Sequence, residues 1–215
     1  SKLGVKYIFS NLGSDHPAFM NAFASMQEQG LTVPKVIVCP HEMTTLSAAH
    51  GYAMVTREPQ VVLVHVDVGT ANLGGSVHNA ARGRVPAIVV AGLSPVSTNP
   101  DTLGHRNEYI HYTQDAPRQH AIVDQYMKWS YELRSSEMTG QVVNRAWQLA
   151  CSMPQGPVYL TGAREVWEAK APPSGERQQD WPLARLGALA PADAAELHAA
   201  LAAAKRPLAI TTYLG

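Results

Sequence analysis

Cysteine is scarce in this 215-residue chain: Cys39 and Cys151 stand alone, with no CxxC pair and no metal-ligand spacing. That excludes a disulfide scaffold and a cysteine-built metal site, and it fits two inert thiols in a reducing compartment, so a cytoplasmic location is expected. An excess of one charge is also missing. Seventeen Lys and Arg balance seventeen Asp and Glu without a basic stripe, which argues against nucleic-acid or anionic-membrane partners. No apolar run approaches the ~18–20 residues that a bilayer span requires. Ser1-Lys2-Leu3-Gly4 lacks the charged-then-apolar build of a secretory signal. Three catalytic signatures are absent as well. No GxGxxG lies where a dinucleotide would bind. HExxH fails because Thr45 stands where the second histidine is required, and GxSxG does not occur around Ser14.

Hydrophobic residues make up 46% of the chain, enough for a core without staples. Short β-branched runs alternate with helical stretches. Val5–Phe9, Val36–Cys39, Val61–Val66, Ala87–Ala91, Lys128–Leu133 and Val158–Thr161 read as strands. Pro17–Gln29, Met43–Thr56 and Ser136–Cys151 read as helices. So does a segment holding Leu73, Val77, Ala80 and Arg84 on one face. Val61–Val66 is apolar on both faces, as a strand buried in a parallel sheet should be. The expected fold is α/β, a doubly wound, mostly parallel open sheet followed by the start of a second α/β domain. The domain is expected over residues 1–169 and a proline-rich linker over 170–191. A truncated second domain follows over 192–215, with a helix Ala192–Ala204 and a strand from Pro207 to Thr212. A lone helix and strand cannot complete a domain, so the chain reads as part of a longer one. Ser94–Pro117, rich in Pro, Asn, Asp and His, reads as a long functional loop.

Ligands of open α/β sheets bind beyond the carboxyl ends of the strands. Asn11-Leu12-Gly13-Ser14-Asp15 follows the first strand there, Pro40-His41-Glu42 the second, and His65 the third, ahead of Gly69-Thr70-Ala71-Asn72. Each has a plain reading beside the chemical one. Glu42, set between a strand read as buried and a helix of small residues that reads as a packing face for a partner, is either a helix-start carboxylate worth ~0.3–1 kcal/mol or a placed catalytic acid. Ser14 either caps the helix at Pro17 or faces a ligand. His65 is a satisfied core histidine or an acid–base group. Gly69–Asn72 is a tight strand-to-helix turn or a pocket wall, with Asp67 as its cap.

Taken together these segments resemble the N-terminal, pyrimidine-binding domain of the thiamine diphosphate-dependent decarboxylase and acetolactate synthase superfamily. The signature is Glu42, then Ala48-Ala49-His50-Gly51-Tyr52-Ala53, Gly69-Thr70-Ala71-Asn72, Val85-Pro86 with a strand to Gly92, and Gly156-Pro157-Val158-Tyr159-Leu160. It covers roughly Val5 to Trp167 in order and spacing. Within the superfamily the resemblance is to the benzoylformate decarboxylases, through Asn11-Leu12-Gly13-Ser14, His65 four residues before Gly69, and Lys128-Trp129-Ser130-Tyr131-Glu132. Leu12 replaces a loop proline and Gly162-Ala163 a Val-Pro pair of that family. The loop holding Arg106, Glu108, Tyr109 and His111 has no counterpart assigned.

The resemblance implies thiamine diphosphate as cofactor, with magnesium held by a C-terminal domain whose Gly-Asp-Gly and Asn-Asn motifs this chain lacks. It implies that Glu42 hydrogen-bonds N1′ of the aminopyrimidine and so activates the coenzyme toward a small-molecule 2-oxo acid. His65 would transfer protons, Ser14 would hold the substrate carboxylate, and Gly13 and Asn72 would line the pyrimidine pocket. The expected activity is decarboxylation, in an assembly that self-associates as a dimer or tetramer. Because such active sites form between two subunits, the chain alone is expected to bind coenzyme weakly. An acetolactate synthase-like or 2-hydroxyacyl-coenzyme A lyase-like enzyme is the alternative. Two readings of other classes are a non-catalytic subunit paired with a separate diphosphate-binding chain, and a plain nucleotide-binding module.

Overall fold

The computed structural model describes residues 3–107, 115–172, 175, 180–184 and 186–210. Close packing divides the chain into two units, 1–184 and 185–215. In the first, β1 (Tyr7–Ser10), β2 (Lys35–Val38), β3 (Gln60–Val64), β4 (Ala87–Leu93), β5 (Ser130–Leu133) and β6 (Val158–Ala163) form one sheet. The order is β2-β1-β3-β4-β6-β5, and every pair is parallel. The helices are α1 (Pro17–Glu28), α2 (Glu42–Thr56), α3 (Val66–Asn72), α4 (Gly75–Arg82), α5 (Thr139–Cys151) and α6 (Arg164–Glu168). The expected doubly wound α/β sheet is therefore present.

Alternation along the central strands divides their side chains between two cores. Phe9, Val62, Val64, Val89 and Tyr159 face α2 and α4, against Leu46, Ala49, Leu73 and Val77. Ile8, Leu63, Ile88, Val90 and Leu160 face the other way, against Val142, Ala146 and Phe19. Burial on both faces is what makes Val61–Val64 and Ala87–Ala91 near-continuous apolar runs. Gly162 shows how one departure from the family pattern is accommodated. A Cβ there would lie 2.6 Å from the Trp167 ring, so the missing side chain lets the indole pack over β6 beside Phe19, at 5.2 Å between centroids.

Two expectations are corrected and two of the plain readings are removed. The strand before Glu42 is not buried: β2 is a sheet edge, and Val38 is 68% exposed. Gly69–Asn72 is not a turn but part of α3, which starts directly after His65. The helix drawn through Leu73 and Arg84 is interrupted, because Gly74 at φ +49° separates α3 from α4. Leu73, Val77 and Ala80 are buried as expected, while Arg84 lies beyond α4 at φ +52°. Ser14 does not cap α1; His16 occupies that position, without a side-chain cap bond.

In the second unit α7 (Pro191–Ala203) opens with proline in its first turn, where no backbone N–H is needed. No strand forms over 207–210, and 211 and 212 lie outside the described residues. So do Glu108, Tyr109 and His111 of the long loop.

α2 ends on Arg57 in the left-handed conformation, φ 63°, its N–H donating to the Ala53 carbonyl. That region penalises any residue with a Cβ. Arg57→Gly is expected to stabilise the unit by about 0.5–1 kcal/mol, read as a raised urea midpoint with unchanged slope.

Candidate active site

Parallel β1, β2 and β3 end at one crest, and strand order reverses about β1. Doubly wound sheets bind ligands at such a reversal. The loop after β1 is drawn in by Asn11: its N–H donates to the Leu63 carbonyl at 3.1 Å, its side-chain amide to the Cys39 carbonyl at 2.9 Å. The candidate residues after the three strands are thereby placed side by side.

Glu42 is the first residue of α2 and is 7% exposed. His41 caps the helix, Nδ1 accepting the Met43 N–H at 3.1 Å. Asn72, at the end of α3, donates its amide to Glu42 Oε2 at 3.1 Å. Gly69 lies close against the same carboxyl group, a Cβ there standing 3.4 Å from Oε1. A carboxylate offers about four acceptor positions, and Asn72 supplies one donor. Glu42 is therefore a shielded acceptor with capacity for a ligand N–H.

The second group centres on Asp15, 4% exposed. Its Oδ1 lies 2.6 Å from His65 Nδ1. Its Oδ2 accepts the N–H of Gly92 at 2.9 Å and of Val66 at 3.3 Å, and lies 3.3 Å from His16 Nε2. His16 is buried and its tautomer follows from its partners. Nδ1 accepts the Gly13 N–H at 2.9 Å, so the proton sits on Nε2, which donates to the Val64 carbonyl at 3.2 Å. Ser14 is exposed and lines the same small cleft as Asp15, His65, Arg106 and Arg164. The Arg164 guanidinium is paired with Glu168.

These contacts set the charges. Asp15 is held below the usual carboxylate value: burial opposes its charge, but the His65 hydrogen bond and the two imidazoles outweigh it. His65 is raised, chiefly by its bond to Asp15; burial opposes this, while Asp15, Asp67 and Glu42 add attraction. His16 is lowered because burial disfavours its cation. These contacts thus favour the charged forms of Asp15 and His65 and disfavour a charged His16. The two cysteines take no part. Burial raises both thiols, Cys151 to about 12.

A pH profile follows by linkage. The His16 contribution to stability is whole above 6.5 and is lost as pH falls through its lower folded value. That of Asp15 is whole above 3.8 and is lost on further acidification. That of His65 is whole below 6.5 and is lost as pH rises through its raised folded value. The urea midpoint is expected to decline on both flanks, and His16→Gln should blunt the first acid step. A midpoint unchanged from neutrality to about pH 4 would contradict these charge assignments.

The structure brings Ser14 and His65 into one cleft and sets Glu42 with Asn72 beside it, close enough for the Glu42 charge to act on His65. Gly13 abuts the His65 ring, which a Cβ would approach to 2.2 Å. Sequence reasoning gave Asp15 no role and passed over His16. The available signal was an acid one residue after Ser14, on the crest that faces His65. Beneath the site a buried chain braces α3. Gln119 donates to the Tyr159 hydroxyl at 2.8 Å, Tyr159 lies 2.6 Å from the Thr70 hydroxyl, and Thr70 donates to the Val66 carbonyl at 2.7 Å.

Residues 1–122 match the family Thiamine pyrophosphate enzyme, N-terminal TPP binding domain. The chain belongs to that family. Over 207 residues, 96% of the chain, it is 26% identical to benzoylformate decarboxylase of Pseudomonas aeruginosa, covering 36% of that protein. It is also 26% identical to acetolactate synthase large subunit IlvG of Mycobacterium tuberculosis over 73% of the chain and 26% of that protein. A thiamine diphosphate-dependent 4-hydroxybenzoylformate decarboxylase from Rhodococcus jostii RHA1 superposes with a TM-score of 0.72 at 25% identity, over 96% of this chain and 36% of that one. The chain thus spans about a third of the length of these decarboxylase relatives. Among the described residues no helix is long and apolar enough to cross a membrane.

Proposed function

We propose that this chain carries the coenzyme-activating part of a thiamine diphosphate-dependent decarboxylase acting on a 2-oxo acid. The observation that supports it most is Glu42, a carboxylate shielded from water at the strand crest, anchored by Asn72 and open to a further donor. Glu42 would hydrogen-bond the aminopyrimidine ring nitrogen, Gly69 and Asn72 would shape the space around it, and Gly13 would wall the adjoining cleft. His65 holds or moves a proton above that cleft, and Ser14 orients the substrate carboxylate. The coenzyme, when bound, supplies the electron sink that permits loss of carbon dioxide.

Among the described residues no group of three or more His, Cys, Asp or Glu side chains is placed to hold a metal ion. Magnesium and the coenzyme diphosphate are accordingly assigned to a partner domain, in a dimer or tetramer, and the chain alone is expected to bind coenzyme weakly. Calorimetric titration of the full-length protein with thiamine diphosphate and magnesium, against ATP and NAD, tests the cofactor: a nucleotide-only response would overturn the reading.

Carboligation is the second reading, because the acetolactate synthase relative matches at the same identity over 73% of the chain. Product analysis separates the two. A 2-oxo acid converted to aldehyde and carbon dioxide supports decarboxylation, and acyloin without aldehyde supports carboligation.

A further inference from the structure

We propose that Asp15 is the positioning residue of this site: its buried carboxylate fixes the His65 ring and the backbone that carries it, so that His65 enters the reaction as a proton donor at Nε2. The proposal rests on the reading of His65 as the proton-transfer group and adds what makes it an acid.

Geometry carries the argument. The Asp15–His65 contact, at 2.6 Å, commits Nδ1 inward and leaves Nε2 as the nitrogen for chemistry in the cleft. The pair is walled on both sides. A Cβ on Gly92 would lie 2.1 Å from Asp15 Oδ2, and one on Gly13 would lie 2.2 Å from the His65 ring. Neither group can swing toward its glycine.

The backbone is held as firmly. Val66, directly after His65, has φ +35°, a conformation that costs a β-branched residue of order 1–3 kcal/mol and persists only when neighbours over-determine it. Here they do: Asp15 Oδ2 takes the Val66 N–H and Thr70 donates to its carbonyl. One carboxylate therefore grips both His65 and the strained residue that aims it.

The charged surroundings agree. His65 is faced by Asp15 from the β1 loop, Asp67 from α3 and Glu42 from α2, all of which favour its charged form. His16, the nearest imidazole, is fixed as a neutral donor to the Val64 carbonyl. Arg106 and Arg164 also line the cleft, Arg164 compensated by Glu168.

The test is a nitrogen-15 NMR titration of the histidines in the whole chain without coenzyme, a readout independent of turnover. In the unsubstituted chain His65 should titrate above its ordinary 6.5 with the proton retained on Nδ1. In Asp15→Asn the amide presents a donor to Nδ1, so the midpoint should fall at least tenfold in proton affinity, about one pH unit, and the neutral tautomer should move to Nε2–H. A midpoint and tautomer unchanged in Asp15→Asn would overturn the proposal. Should that variant fail to fold, the unsubstituted chain decides: a His65 midpoint at or below 6.5 overturns it, and a raised one supports it. The result is separable from the functional reading, since a correct titration combined with normal coenzyme activation in Glu42→Gln would sink that reading and leave the role of Asp15 intact.

Discussion

Glu42→Gln is expected to slow exchange of the coenzyme C2 proton by on the order of 10²–10⁴-fold, while the melting curve stays close to that of the unsubstituted protein. The substitution is nearly isosteric, and the Asn72 amide that donates to Oε2 at 3.1 Å can still donate to a glutamine oxygen. What disappears is the charge and one acceptor face. A glutamine turned to keep its bond with Asn72 presents an amide N–H where the carboxylate had an acceptor, so it can only donate to the unprotonated ring nitrogen of the coenzyme. It holds the ordinary amino form in place and no longer supports a proton on that nitrogen, which is why the effect is large although only one atom changes. The measurement is deuterium exchange at C2 followed by acid quench and proton NMR, in the full-length protein with thiamine diphosphate and magnesium. Exchange at the ordinary rate in this variant would mean that Glu42 is only the carboxylate that begins α2.

Gly92→Ala is expected to be among the most damaging single changes in the chain. The added methyl would stand 2.1 Å from Asp15 Oδ2 and 2.6 Å from its Cβ, and Gly92 is held in place by its pairing with β6 and by the Gln119 amide on its carbonyl. Asp15 must therefore leave. With it go the partner of His65 Nδ1 and the acceptor for the N–H groups of Gly92 and Val66. Leaving the buried N–H groups of Gly92 and Val66 without their acceptor costs about 1–3 kcal/mol each, against a total stability of about 5–15 kcal/mol for a domain. The urea midpoint should fall by half or more, or the protein should appear in the insoluble fraction. Because Asp15 would no longer hold the ring, any folded remainder should show His65 titrating lower, in line with Asp15→Asn. A loss under about 1 kcal/mol would show that the carboxylate does not lie against β4.

Much of this architecture was legible from local pattern. Val61–Val64 and Ala87–Ala91 are apolar on both faces, and only a strand covered on both sides uses such a run. Pro17 marks the first turn of α1, and Ala48, Ala49 and Ala53 the close packing of α2. Positions that failed did so for non-local reasons. Val36–Cys39 looks like a core strand, yet β2 has a neighbour on one side only, and strand order is a property of the whole sheet. The break at Gly74 falls within a periodic run because Leu73 and Val77 share a core while α3 and α4 are separate helices.

The site divides along the same line. Glu42, His65, Ser14 and Asn72 could be picked out in the sequence because strand-end loops expose whatever residues follow the strands, and the family's order and spacing are linear properties. The crest position of Asp15 was visible too, but the roles of Asp15 and His16 were not, since their meaning lies in distances. Asp15 matters because His65, Val66 and Gly92, which are 50, 51 and 77 residues away along the chain, place their N–H groups on its two oxygens. The chain order alone therefore determined the sheet, the helices that cover it and the identity of the family. Only packing in three dimensions decided which carboxylate is dry, which imidazole is pushed toward its charged form and which glycines wall them in, because those depend on desolvation and contact between segments that chain order leaves far apart.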